Sequence, residues 1–278
     1  MSTAGSAGSS DSKGRVITTR TVLTMKQSGE KIAMLTAYDY LVARLLDQVG
    51  VDVVLVGDSV GNVVQGHPTT LPVTVEDMIY HAKAVKRAVR NALLVVDMPF
   101  MSYQTSIDDA VMNCGRVMKE VGAGAVKLEG GGYVADIVKH LVRIGIPVMG
   151  HLGLTPQAIN KFGTYEVRAQ TKEEANEVLR DAKALSEAGV FSIVLEKIPA
   201  SLAKRVTQSV SVPTIGIGAG PHCDGQVLVV TDMLGLTEDF KPRFVRRYAE
   251  LADELRTAFG RYIADVKSGQ FPTQKESY

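Results

Sequence analysis

The chain has little of what stabilises or tethers unusual proteins. Only two of its 278 residues are cysteines, Cys114 and Cys223, far apart and outside any CxxC. This excludes a disulfide scaffold and a cysteine-built zinc site, and it suits a reducing, cytoplasmic setting. No apolar run approaches the roughly 20 residues of a membrane span. Charge of one sign is missing too: 31 Lys and Arg face 30 Asp and Glu. Neither a nucleic-acid partner nor a membrane surface is therefore expected. The densest basic group, Arg243, Arg246 and Arg247, lies on an amphipathic stretch and reads as a solvated helix face. Aromatic residues make up 6% of the chain, so platforms for stacking a flat ring are few. The opening segment, residues 1–14, is small and polar with no apolar signal core, and is expected to be a disordered tail.

What is present is a repeated beat. Short β-branched runs end in Gly or a polar residue and mostly lead into amphipathic helical stretches. Strands are predicted at 32–37, 52–57, 92–97, 124–129, 146–150, 191–196, 213–217 and 226–231. They read as buried on both faces, as in a parallel sheet covered by helices. Helix signals lie between them. Leu41, Leu45, Leu46 and Val49 have helical spacing, as do Val134, Ile137, Val138 and Leu141. Thr74 with Asp77 and Ser106 with Asp109 are near relatives of the capping box, and Thr171 with Glu174 is a full one. A last helix is predicted over about 242–267, with a stripe from Phe244 and Tyr248 to Val266. Eight unbroken β–α beats predict a single (β/α)8 barrel over residues 15–278, with C-terminal helices. Two long connections, 58–73 and 151–170, follow strands on the face where barrels build active sites.

The strand ends carry the chemistry. Strand 2 ends in Gly57-Asp58-Ser59 and strand 3 in Asp97. Strand 4 ends in Lys127-Leu128-Glu129, strand 5 runs into His151, and strand 6 ends in Glu196. Lys127 and Glu129 are two apart and so share a face. If Leu128 packs outward, both enter the barrel mouth. Carboxylates crowded in one partly buried mouth repel, and a hard divalent cation relieves them. Mg²⁺ takes oxygen ligands, uses few protein carboxylates and leaves room for water and substrate. Asp58 and Asp97 are the first candidates to ligate it, and Glu129 could hold a bound water. Scarce histidine and absent thiolates disfavour zinc. Blander readings stand beside these. A strand-end Asp often caps the next helix: Asp39 in AYDYLVARLL reads so, and Asp232 is a second candidate. Lys127 and Glu129 could pair structurally, and a lone His151 is more often structural than catalytic. The segment IGIGAG could bind phosphate through backbone N–H groups. With no Lys, Ser or Thr directly after it, its glycines Gly216, Gly218 and Gly220 read better as room for a bulky ligand.

In these same segments the sequence resembles a known family. MLTAYDY (34–40), VGDSVGNVVQGHPTTLPVT (56–74), DMPFMSYQ (97–104), VKLEGG (126–131), GHLGLTPQ (150–157) and IGIGAG (215–220) are similar to ketopantoate hydroxymethyltransferases. The resemblance implies a barrel of the phosphoenolpyruvate/pyruvate superfamily. It implies transfer of a one-carbon unit from 5,10-methylenetetrahydrofolate to 3-methyl-2-oxobutanoate, giving 2-dehydropantoate for pantothenate synthesis. Asp58 and Asp97 match magnesium ligands, and Glu129 the outer carboxylate. Ser59 and Lys127 match groups that bind the substrate carboxylate. His151 matches a residue near the new hydroxyl, and Glu196 the base. The family's habit of pairing pentameric rings implies a homo-oligomer, a decamer. The folate site stays open, with the loops after strands 7 and 8, around Gly216 to Gly220, as a guess.

Rival readings use the same rim. One is a Mg²⁺-dependent carbon–carbon lyase or phosphomutase acting on a 2-oxo acid. Such lyases commonly place a Cys in a flexible active-site loop, whereas the loops after strands 2 to 5 have none and Cys114 falls in a predicted helix. Others are a phosphate-binding biosynthetic barrel, resting on IGIGAG, and a non-catalytic sensor.

Overall fold

In a computed structural model, described over residues 15–278, eight parallel strands close into a barrel. The strands are β1 (Ile32–Thr36), β2 (Val53–Val56), β3 (Leu93–Asp97), β4 (Ala125–Glu129), β5 (Val148–Gly153), β6 (Ser192–Glu196), β7 (Thr214–Ile217) and β8 (Gly225–Leu228). Each strand pairs with its sequence neighbour, and β8 returns to β1. Every predicted strand is found. The last ends sooner than expected, because the chain turns into a helix at Val230. The expected tail, 1–14, lies outside the described residues.

The helices are α1 (Thr19–Ser28), α2 (Tyr40–Gln48), α3 (Val60–Val63), α4 (Val75–Ala88), α5 (Ile107–Arg116), α6 (Ala135–Arg143), α7 (Ile159–Phe162), α8 (Lys172–Ala188), α9 (Ala200–Ser209), α10 (Val230–Met233) and α11 (Leu251–Ser268). The caps follow the sequence signals, with one exchange. Asp39 caps α2 by accepting from Val42 N–H, and Thr74 with Asp77 forms a complete capping box on α4. Thr171 caps α8, but the box is half made. The Glu174 carboxylate turns instead to the Ala169 N–H and the Arg168 guanidinium. Asp232 caps nothing, since it sits inside α10.

Strand alternation divides the core in two. Val126 and Leu128 of β4 face outward into the helix-covered layer, whereas Ala125 faces the barrel interior with Met34, Val95 and Met149. Lys127 and Glu129 follow Ala125 at period two and therefore point inward, toward the C-terminal mouth. α1 closes the other end. Its Val22 and Met25 join the interior cluster, and Lys26 Nζ donates to the Thr207 and Val212 carbonyls and to Asp224.

The C-terminal segment departs from its pattern. The final helix begins at Leu251, not near 242, and Arg243, Arg246 and Arg247 lie in irregular chain before it. Backbone donors there are claimed by distant acceptors: Tyr248 N–H by the Met233 carbonyl and Leu251 N–H by that of Leu234. The Arg247 guanidinium binds the Thr237 and Glu238 carbonyls and the Glu250 carboxylate. It ties a loop rather than meeting solvent. Phe244 and Tyr248 consequently leave the stripe. None of α11 is buried, and Leu255, Phe259, Tyr262, Ile263 and Val266 are exposed.

Lys26→Met should cost stability on the order of 2 kcal/mol, since two carbonyls and a carboxylate lose a part-buried donor. It should leave the rim chemistry intact, as residues at the closed end of a barrel serve stability. Urea unfolding checks the first expectation and ligand affinity the second. An unchanged unfolding midpoint would refute the role given to Lys26.

Candidate active site

The strand register places the rim groups side by side. Asp97 pairs with Lys127, Glu129 with His151, and Gly153 with Glu196. Asp58 follows β2, and its backbone N–H donates to Asp97 Oδ2 at 3.0 Å. This turn needs Gly57, because a Cβ there would stand 2.7 Å from Ser59 Oγ. Gly153 is needed likewise, as its φ is +93° and a Cβ would strike the Glu196 carbonyl. Asp58, Ser59, Asp97, Lys127, Glu129, His151 and Glu196 all line one cavity of ≈ 400 Å³. The sequence expectation that these residues converge is met.

Inside the cluster Lys127 Nζ lies 2.8 Å from Asp97 Oδ1 and 3.2 Å from His151 Nδ1. His151 Nδ1 is 3.2 Å from Glu129 Oε1, and Nε2 is 3.3 Å from Glu196 Oε2. Tyr38 and Ser59 share a hydroxyl–hydroxyl hydrogen bond of 2.8 Å. Lys127 sits close to Asp97 Oδ1 but off the hydrogen-bond direction. Among the described residues no donor is aligned to that oxygen or bonded to His151 Nε2.

Sequence reasoning missed two organisers. Gln157 donates from Nε2 to Asp58 Oδ2 and to the Met98 carbonyl, and from its backbone N–H to Glu129 Oε2. Tyr103, given no weight from sequence, is fully buried; its hydroxyl reaches Gln157 Oε1 and accepts from the Glu129 N–H. Both lie in the quoted motifs DMPFMSYQ and GHLGLTPQ, but spacing alone carries no sign of these bonds.

Burial first, then Asp97 and Glu129, push Asp58 up to about 8. Burial also raises Asp97, against the pull of Lys127. Burial would raise Glu129, but His151 and Lys127 overcome it and hold this carboxylate low. Burial and Lys127 depress His151, yet Glu129 and Glu196 outweigh them and lift it to about 9.

These features test whether a cation fits. Asp58 and Asp97 are adjacent, both destabilised as anions, and one Asp97 oxygen has no aligned donor. A hard cation would relieve all three conditions. No set of three His, Cys, Asp or Glu side chains forms a ready metal cage among the described residues. Two carboxylates plus water and substrate suit Mg²⁺ better than such a cage. Glu129, already bonded to Gln157 and facing His151, fits the outer role.

The Gly-rich segment behaves differently from expectation. It presents Ile217 to the cavity, not its glycines. The space beside Gly216 is taken by Cys223 and Gln226, beside Gly218 by Lys197 and Phe244, and beside Gly220 by Ala200. These glycines make room for the chain's own side chains. Further wall comes from Tyr165 and Lys197 and from the chain after β8, including Asp232, Thr237, Phe240 and Phe244. Lys197 has φ +45° and its Nζ donates to the Tyr165 carbonyl, which pins the residue after Glu196.

A closed barrel of eight parallel strands with a carboxylate rim at the strand ends defines a class, the (β/α)8 barrels. 2,3-Dimethylmalate lyase superposes with TM-score 0.58 at 14% identity, covering 95% of this chain and 92% of that one. Phosphonopyruvate hydrolase in complex with oxalate and Mg²⁺ superposes with TM-score 0.59 at 14% identity, covering 94% and 93%. The family profile of ketopantoate hydroxymethyltransferase matches residues 16–274, and the chain belongs to that family of transferases. The 3-methyl-2-oxobutanoate hydroxymethyltransferase of Chlorobaculum tepidum is 60% identical over 266 residues, 94% of this chain and 96% of its own. That of Syntrophus aciditrophicus is 56% identical, covering 97% and 99%.

Asp58 binds a proton in the folded chain, up to about 8, where the unfolded chain has released it. Stability without cation should therefore fall as pH rises from roughly 4 toward that value. Asp58→Asn should flatten this slope and stabilise the cation-free protein at pH 8. Urea midpoints across the range read the effect, and an unaltered slope in the variant would remove Asp58 as its source.

Proposed function

We propose that the chain transfers a hydroxymethyl group from 5,10-methylenetetrahydrofolate to 3-methyl-2-oxobutanoate, giving 2-dehydropantoate, with Mg²⁺ held by Asp58 and Asp97. One observation carries this reading: two neighbouring buried carboxylates, Asp58 and Asp97, share a cavity with Glu196. The names of the family and its relatives support the 2-oxo acid and the hydroxymethyl transfer, and the Mg²⁺ in phosphonopyruvate hydrolase supports the metal.

When bound, the cation would act as a Lewis acid toward charge developing on the 2-oxo acid. Lys127 and Ser59 bind the acid's carboxylate, Ser59 being held by Tyr38. Glu196 takes the proton from C3 as general base. The released electron pair forms the new bond to the folate's methylene carbon. Both carbon–nitrogen bonds to that carbon break, and by atom balance one water supplies the hydroxyl oxygen. His151, against Glu196 and Glu129, stands where it can donate to the new hydroxyl. Glu129 orients groups around the cation from its place on Gln157.

A cytoplasmic homo-oligomer is part of the same proposal. The exposed apolar row of α11 supports self-association, because large apolar patches mark interfaces. A lyase or mutase acting on a 2-oxo acid is the second reading, favoured by the fold neighbours. Against it, Cys114 and Cys223 are buried and neither lines the cavity.

EDTA should abolish product formation and Mg²⁺ restore it. Glu196→Gln should slow deuterium exchange at C3 of 3-methyl-2-oxobutanoate by about 100-fold or more, while Asp97→Asn should weaken Mg²⁺ in calorimetry. Normal exchange in the Glu196 variant would strip it of the base role. Cleavage of 2-oxo acids without folate turnover would favour the second reading. Sedimentation of a lone protomer would end the assembly proposal.

A further inference from the structure

The cavity has an end that the 2-oxo acid does not explain. Its carboxylate rim suits a small chelating acid, yet the wall continues over Thr237, Phe240 and Phe244 and includes Asp232. Asp232 is 5% exposed, and among the described residues its Oδ1 has no hydrogen-bond partner. It does not cap α10, whose first turn is fixed by other groups; Val230 N–H, for instance, donates to Thr36 Oγ1. A buried carboxylate oxygen without a donor is costly, and a native fold keeps one where a ligand completes it. Burial raises the Asp232 pKa, partly offset by Thr237 and Arg247.

The surroundings narrow the ligand. Phe240 and Phe244 meet edge to face, with centroids 6.5 Å apart. Phe244 also covers Gly218 and lies under Lys197 Nζ, 5.5 Å from the ring centroid. Apolar rings and an acceptor-only group lining one cavity fit a flat heterocycle with N–H donors on one edge. A reduced pterin has that edge: its 2-amino group and N3–H lie side by side. Two parallel N–H donors onto one carboxylate are the geometry that makes guanidinium–carboxylate pairs specific.

We propose that Asp232 anchors the co-substrate, its carboxylate receiving the paired N–H donors of the pterin ring while Phe240 and Phe244 wall the ring. The assignment rests on the folate-dependent reading above. It places the pterin on the chain after β8, in the same chamber as Asp58 and Asp97. It also gives the segment 234–250 a recognition role, in place of the glycines of 215–220.

Binding of 6-methyltetrahydropterin, which has no glutamate tail, tests this by calorimetry on the Mg²⁺-loaded enzyme. Asp232→Asn, close to isosteric, should weaken this binding about tenfold or more, since one acceptor becomes a donor facing a donor. The KM for methylenetetrahydrofolate should rise with it. The KM for 3-methyl-2-oxobutanoate and its C3 deuterium exchange without folate should stay within about twofold, because neither uses the pterin edge. Phe244→Leu is the second variant and should also weaken the pterin while sparing exchange. Normal pterin affinity in Asp232→Asn overturns the assignment. So does parallel loss of exchange and pterin binding in both variants, which would mark this wall as structural. A wild-type chain that neither exchanges C3–H nor consumes methylenetetrahydrofolate sinks the reaction itself. A wild-type chain that does both, beside an unaffected Asp232 variant, sinks the anchor alone.

Discussion

Negative charge drawn into the C-terminal mouth of the barrel is the constraint on which the rest depends. Asp58, Asp97 and Glu129 are buried together, and each must be compensated or remain costly. Glu129 is compensated by the Gln157 N–H and by His151. Asp58 has one Gln157 bond, and Asp97 has Lys127 close by but misaligned. The shortfall is uneven and falls on the two adjacent strand ends. On that unevenness rests the proposal of a cation between Asp58 and Asp97 with Glu129 as the outer carboxylate.

Register produces this arrangement without any loop having to find it. β3, β4 and β5 pair so that Asp97 lies beside Lys127 and, two residues further along, Glu129 lies beside His151. A shift of one residue in β4 would send Lys127 and Glu129 into the helix layer and Leu128 into the mouth. The apolar partners of Leu128 and Val126 therefore guard the site's geometry as much as the core's stability. The opposite end of the barrel is free of this burden. There Lys26 satisfies two carbonyls and Asp224, so α1 can act as a plug.

Legibility in the sequence followed the reach of the signal. The eight strands were readable because buried parallel strands are continuous β-branched runs, and the rim acids because they end those runs. Period two separated Leu128 from Lys127 and Glu129 but did not say which face was the mouth, which the packing of Leu128 in the outer layer decides. Gln157 and Tyr103 were unreadable as organisers, since their bonds join segments 26 to 99 positions apart in sequence. The Thr171–Glu174 box was half wrong because Arg168 and the Ala169 N–H compete for Glu174. IGIGAG misled through the opposite error. Its glycines respond to neighbouring side chains, and composition cannot distinguish a ligand from a phenylalanine.

The largest departure, at the eighth β–α unit, has a physical logic. Periodicity from Phe244 to Val266 promises one long helix, which could have packed on the barrel like the others. Instead the chain breaks after α10 and runs through turns to Leu251, with Arg247 holding Thr237, Glu238 and Glu250 in place. A helix would have directed Phe244 by its own spacing and spent its backbone donors internally. The turned chain frees Phe244 to lie over Gly218 and Lys197, and leaves Asp232 on the cavity wall. The same break pushes α11 outward with no buried residue. Wall and exposed helix are thus two results of one choice: packing of the eighth helix is given up so that the last strand's connection can close over the site.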